Sequence, residues 1–148
     1  MWGEREMKVG GDLAGQLGYQ VQLVHPMAHE AARAALEHLD ITPARATALL
    51  LIRANPGCSQ SALGGALNVN RSSAMKIVDL LEGRGLIRRA PSADPRAHAL
   101  ELTSKGEQFA ADVDVALEEN ERRFFGVLSA AERKSLLEML QRLHQRAP

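Results

Sequence analysis

Residues 70–85, NRSSAMKIVDLLEGRG, hold the side chains whose types and spacing point most directly to chemistry. Ala74, Ile77, Val78 and Leu81 recur at intervals of three and four, the apolar stripe of one amphipathic helix. Arg71, Ser72, Ser73 and Lys76 fall on the opposite face, gathered at its N-terminal end. Asn70 is a favourable N-cap, and Gly83 and Gly85 are stop signals. Small hydroxyls beside two cations let a helix end approach a polyanion closely. The chemistry expected is entry of this helix into a DNA major groove. Arg71 is the candidate for bidentate readout of guanine, Lys76 for a phosphate or guanine, and Ser72 and Ser73 for phosphates or base edges.

A second group precedes it. Ser59, Gln60 and Ser61 open a short helix, where free backbone amides favour a phosphate. After the helix, Arg88 and Arg89 are adjacent on a predicted strand and face opposite sides, so only one of them, taken as Arg89, is expected to reach DNA. Arg96 lies at the tip of the hairpin that follows, where it could enter a narrow minor groove, with Asp94 orienting it. Residues 70–96 carry six basic and three acidic side chains, a local net charge of +3 in a chain whose net charge is zero. Residues 101–147 carry nine acidic and seven basic ones, a net of −2. Taken alone, this distribution is also compatible with ordinary surface charge; the motif decides between the two.

These groups need a scaffold, and 148 residues suffice for one domain with a real core. With 45% hydrophobic and only 3% aromatic residues, helix-on-helix packing is favoured. One cysteine excludes an internal disulfide framework and fits a reducing cytoplasm, the expected location. No apolar run is long enough to span a membrane. The start, MWGEREMKVGG, lacks an apolar stretch and reads as a loose arm rather than a signal peptide. No nucleophile elbow, phosphate loop, metal triad or acid pair is present, so neither an enzyme nor a cofactor is expected.

Taken in order, residues 12–39 read as one long helix, with Pro26 expected to kink it or split it near His25. At ~42 Å it exceeds what a small domain needs, so part of its stripe is expected to pack on another chain. Thr42 and Pro43 open a helix over 43–54, closed by Asn55-Pro56-Gly57. Ser59 caps a short helix over 60–67; residues 68–70 turn into the helix described above, the spacing of a helix-turn-helix. Strands over 86–89 and 97–102 form a β-hairpin, a wing, joined by the turn-rich 90–95. Thr103 caps a helix to about residue 128, and Ser129 with Glu132 forms a capping box for the last helix, whose stripe is Leu136, Leu137, Leu140 and Leu143. The fold class is therefore mainly α with a small β-hairpin wing. A winged helix-turn-helix lobe (42–103) is flanked by N- and C-terminal dimerisation helices (12–40 and 104–146) in a single subunit.

ITPARATALLLI, SQSALGGALNVNRSSAMKIVDLLEGRGLIRR and DPRAHALELTSKG, in this order and spacing, resemble the MarR family of transcriptional regulators. The resemblance spans about residues 13–143. It implies a homodimer that interleaves its terminal helices, places each recognition helix in a major groove and each wing in the adjacent minor groove, and reads a pseudo-palindromic operator, as a repressor. Asn70, Arg71, Ser72, Ser73 and Lys76 match the recognition positions, and Asp94 and Arg96 match the wing's acid and arginine. Three departures stand out. Pro95 replaces a frequent basic residue, Met75 a small hydroxyl, and Gly64-Gly65 better helix formers, which should soften the short helix by roughly 1 kcal/mol per glycine.

The resemblance also implies a small aromatic or phenolic effector between the dimerisation helices and the lobe. Tyr19, His25, His29 and Arg45 are the candidate effector-binding residues, with Met27 and Leu49 in the same region. His25 and His29, one turn apart, fit equally a helix surface or a wet dimer interface. A zinc site would need a third ligand that the sequence does not offer. Cys58, between a turn and a helix, reads as a buried structural thiol rather than a redox sensor. The alternative to a DNA-binding regulator is a winged-helix protein-interaction module.

Overall fold

A computed structural model describes residues 10–93 and 98–145. Residues 1–9 of the arm expected at the N-terminus, and the wing tip with Asp94, Pro95 and Arg96, lie outside the described residues; the arm's last residue, Gly11, already opens α1. The order is α1 (Gly11–Ala14), α2 (Leu17–Leu36), a 3-10 turn (Glu37–Leu39), α3 (Pro43–Ala54), α4 (Gln60–Ala66), α5 (Arg71–Gly83), β1 (Ile87–Pro91), β2 (His98–Leu102), α6 (Ser104–Phe124) and α7 (Ala130–His144).

The N-terminal helix departs from the expectation. It breaks at Gly15–Gln16 and runs unbroken through Pro26. Four glycines (Gly10, Gly11, Gly15, Gly18) crowd this end, and each weakens a helix by about 1 kcal/mol relative to alanine, so their costs add up over a few residues. Pro26 and Gln22, whose carbonyl it leaves unbonded, are both exposed.

α2 and α6 lie side by side; α3 packs on both and β2 on α6, and α4 and α5 pack on α3, on each other and on the hairpin. The core joins Leu36 and Ile41 to Leu49 and Ile52 of α3, Leu63 of α4, Val78 and Leu81 of α5, Leu86, Ile87, Leu100, and Ala110 and Val113 of α6. The capping residues act as their types require. Ser59 accepts from the Ala62 amide, Asn70 from Ser73, and Thr103 from Gly106. The Ser129–Glu132 box closes in both directions, and the Ser129 amide holds the Glu132 carboxyl below the usual carboxylate range. Thr42 has a capping backbone but no capping bond from its side chain; Pro43 starts that helix.

The hairpin is antiparallel, pairing Ile87 with Leu102 and Arg89 with Leu100. It is shifted from the expected strands by one residue at each start and extends to Pro91. Cys58 adds a bridge to Leu100 on the outer edge of β2. α6 stops at Phe124, four residues before the sequence stripe suggests, because Phe125 leaves the helical conformation. Among the described residues no helix is long and apolar enough to cross a membrane.

Candidate nucleic-acid interface

The helix-turn-helix is built on a close crossing. A Cβ on Gly64 would lie 3.2 Å from the Ala74 Cβ, tighter than ordinary contact, so a larger residue there would push α4 and α5 apart by a few tenths of an ångström. Gly64 thus serves the close crossing of the motif as well as being a weak helix former. Asn68 takes a left-handed conformation (φ 52°) that lets the chain reverse between the helices, and Asn tolerates this better than most residues.

α5 buries Ala74, Val78 and Leu81 and turns Arg71, Ser72, Met75 and Lys76 to solvent. Ser73 is half-buried. The side-chain oxygen of Asn70 is engaged as the cap, 2.8 Å from the Ser73 amide. One groove of about 200 Å³ brings together Ser59, Gln60 and Ser61 from the start of α4, Arg71 from α5, and Arg89, His98 and Leu100 from the hairpin. A second, of about 160 Å³, runs between α4 and α5 and is lined by Gln60, Ser61, Arg71 and the Gly64-Gly65 pair. Lys76 lines neither groove.

Electrostatics separates two kinds of cation. Arg53 forks onto Asp114 at 2.7 and 3.0 Å, and Arg88 pairs with Glu101 across the hairpin at 2.7 Å. Arg89 lies on the inner face of the hairpin, beside Ile87 and Leu100 in register, and reaches back to α5. It bonds Asp79 at 2.6 Å and also Glu82, which raise the affinity of its guanidinium for its proton. Among the described residues Arg71 and Lys76 have no ion-pair partner and stand exposed at the front of α5.

The MarR family's sequence model matches residues 39–97, most of this lobe. A Thauera aromatica protein assigned as transcriptional regulator of the hcr operon is 38% identical over 139 residues, 93% of this chain and 84% of that one. The chain belongs to the MarR family. Among solved structures, the transcriptional repressor CouR bound to a 23-mer DNA duplex matches with a TM-score of 0.87 at 33% identity, over 94% of this chain and 99% of that one. CouR bound to p-coumaroyl-CoA matches with a TM-score of 0.83 at 31% identity, over 96% and 100% of the two chains. Winged helix-turn-helix architecture and transcriptional regulation, both expected from the motifs, are those of this MarR-family chain.

The structure gives one expected residue partners the sequence did not suggest and adds another. Arg89, a DNA-binding candidate, lines the groove with Ser59, Gln60, Ser61 and Arg71 and is also held by two carboxylates of α5, Asp79 and Glu82. His98, which the sequence reading passed over as one position of a strand, stands exposed on the groove opposite Ser59 and Gln60. The only signal for it was its position directly after the wing tip.

The effector candidates gather less closely. Tyr19 and Arg45 are half-buried; His25 and His29 are exposed, their rings 6.5 Å apart. None of the four lines the groove of about 410 Å³ between α2 and α6, whose walls are Ala31, Ala34, Ala35, His38, Ala116, Glu119, Asn120 and Arg123. Among the described residues no three His, Cys, Asp or Glu side chains gather as a metal site. Cys58 is half-buried rather than fully enclosed, and burial pushes its thiol pKa up.

Proposed function

We propose that this protein is a sequence-specific double-stranded DNA-binding repressor that acts as a cytoplasmic homodimer on a pseudo-palindromic operator. Regulation, not catalysis, is its role. The observation that carries this reading is the pair of exposed cations without an ion-pair partner among the described residues, Arg71 and Lys76, at the front of α5, in a lobe where Arg53, Arg88 and Arg89 are matched by carboxylates and Arg84 by backbone carbonyls. A protein-interaction module has no need to keep that face polar and positive. Its N-terminal end would enter the major groove, with Ser72 and Ser73 against phosphates or base edges, and the wing with Asp94 and Arg96 would reach the minor groove. Ser59, Gln60 and Ser61 line the flank of the same groove.

Dimerisation is supported by apolar side chains without cover inside the subunit. Leu17, Val21, Leu23, Val24 and Met27 of α2, and Leu137, Leu140 and Leu143 of α7, are all exposed. Two-fold symmetry then sets half-sites about one helical turn, ~34 Å, apart. A small aromatic or phenolic ligand, bound near Tyr19, His25, His29 and Arg45, is the proposed releasing effector. p-Coumaroyl-CoA, which CouR binds, is the first compound to try, with free p-coumarate beside it.

A gel shift with the duplex flanking the protein's own gene tests the reading. Binding should fall steeply with salt, by roughly 0.9 in log K per log salt for each phosphate contacted. Binding with no preference over scrambled DNA, or none at all, would sink it.

A further inference from the structure

The end of α5 is fastened at one corner to the end of α2 and the start of α6. Arg84, half-buried directly after the helix, donates from one guanidinium nitrogen to the Asp40 carbonyl at 2.6 Å and from the other to the Leu39 carbonyl at 3.2 Å. These carbonyls close the 3-10 turn that continues α2, at its negative dipole end. Asp40 is left-handed there (φ 50°). The same guanidinium lies 4.9 Å from the centre of the Phe109 ring of α6. The backbone at this corner is held as well. Lys105 donates to the Arg84 carbonyl at 2.8 Å, and Thr103 to the Gly85 carbonyl at 2.6 Å. One corner therefore joins the end of the recognition helix to the end of α2 and the start of α6, helices more than twenty residues away on either side.

We infer that Arg84 is a positioning residue for DNA recognition: it sets the angle of the recognition helix against the dimerisation helices, and so the half-site spacing the dimer accepts. This rests on the reading of the protein as a dimeric operator binder. A guanidinium suits the task because its planar fork meets two carbonyls at fixed angles while its face stacks on a ring. A lysine can reach one carbonyl but cannot fix the angle. The guanidinium is engaged by two carbonyls and a ring of its own chain, so the expected effect is on geometry rather than on base choice.

The test uses the full-length protein and a duplex that the wild-type protein selects from a random-sequence pool, together with versions carrying one base pair more or fewer between the half-sites. Each step moves a half-site by about 3.4 Å along the axis and turns it around the helix. The wild-type protein should prefer the selected spacing at least about tenfold. Arg84→Ala should lose about tenfold affinity for that duplex and bind all three within about threefold of one another. Arg84→Lys should recover affinity while remaining less selective than wild type. Folding and dimer mass are checked by circular dichroism and sedimentation. Should Arg84→Ala fail to fold, Arg84→Lys decides: a spacing preference equal to wild type overturns the inference. A folded Arg84→Ala dimer that keeps the wild-type preference also overturns it, as a purely structural role would produce. A wild-type protein that selects no duplex overturns the DNA-binding reading itself, and this inference with it.

Discussion

α5 and α7 carry the same kind of apolar stripe but differ in what covers it. α5 buries Ala74, Val78 and Leu81 under its own subunit. α7 buries nothing, and Leu137, Leu140 and Leu143 are 55%, 44% and 65% exposed. The periodicity of a helix therefore tells that a face is to be covered and not by which chain. In α5 the covered face fixes the helix so that the opposite face can meet DNA. In α7 the stripe is left open within the subunit, and in the proposed dimer a second copy covers it.

Charging the α7 stripe breaks this comparison most severely. In the homodimer, Leu137→Asp with Leu140→Asp would bury two unpaired carboxylates, costing several kcal/mol. Sedimentation should show a monomer at micromolar concentration, and operator affinity should fall about 1,000-fold. The lobe should still unfold cooperatively, because its core lies elsewhere. If α7 were a free surface, the same change would cost no more than about 0.5 kcal/mol and leave the mass unchanged.

Next comes the packing inside the lobe. A Cβ on Gly106 would lie 1.9 Å from the Leu86 carbonyl oxygen, a backbone atom anchored by Thr103. Gly106→Ala should destabilise the fold by about 3 kcal/mol in chemical denaturation. Gly83→Ala is its control: nothing lies within 4 Å of the added carbon, and the helix former should be neutral or stabilising by up to about 1 kcal/mol. Equal losses at both glycines would mean that α6 does not press on the start of β1.

The third test separates the free cations from the bound ones. Arg71→Ala should cost about 1–3 kcal/mol of operator binding, concentrated at one base position. Arg89→Ala frees Asp79 and Glu82 and loosens the hairpin from α5. It should weaken binding to all sequences alike and lower thermal stability, which Arg71→Ala should not. Competition with single-base operator variants distinguishes the two patterns.

Much of this was legible in the sequence because it rests on local chemistry. Asn70, Ser59, Thr103 and the Ser129–Glu132 box are caps whose partners lie three residues away, and each forms. The apolar period of α5 names its buried residues Ala74, Val78 and Leu81, with Ile77 half-buried beside them. What escaped depends on distant partners. Arg89 was read by its charge, but its register against Leu100 and the acids of α5 decide where it goes. Gly64 looked like a weakness of α4 until Ala74 of the next helix came to lie over it. Pro26 carried the strongest local break signal in the first helix, and solvent exposure removed its force. Arg84 has partners 44 and 45 residues away and offered no local signal.

Cys58 gives the smallest effect and marks the edge of the closed lobe. Its backbone bridges to Leu100, with the Leu100 amide 2.9 Å from the Cys58 carbonyl, and its side chain packs against the core without being sealed in. Burial alone raises its pKa, with no cation beside it to draw out the thiolate. The sign follows: the native thiol holds its proton at a pH where the unfolded one, near 8.5, begins to lose it. The stability this contributes is full below that pH and fades as pH rises through the native value. Iodoacetamide at pH 8 should therefore alkylate the native protein several-fold more slowly than the urea-unfolded chain, since only the thiolate attacks. Equal rates would mean that the lobe opens at the Cys58 edge faster than the reagent reacts, and that its core is less closed there than the α7 contrast requires.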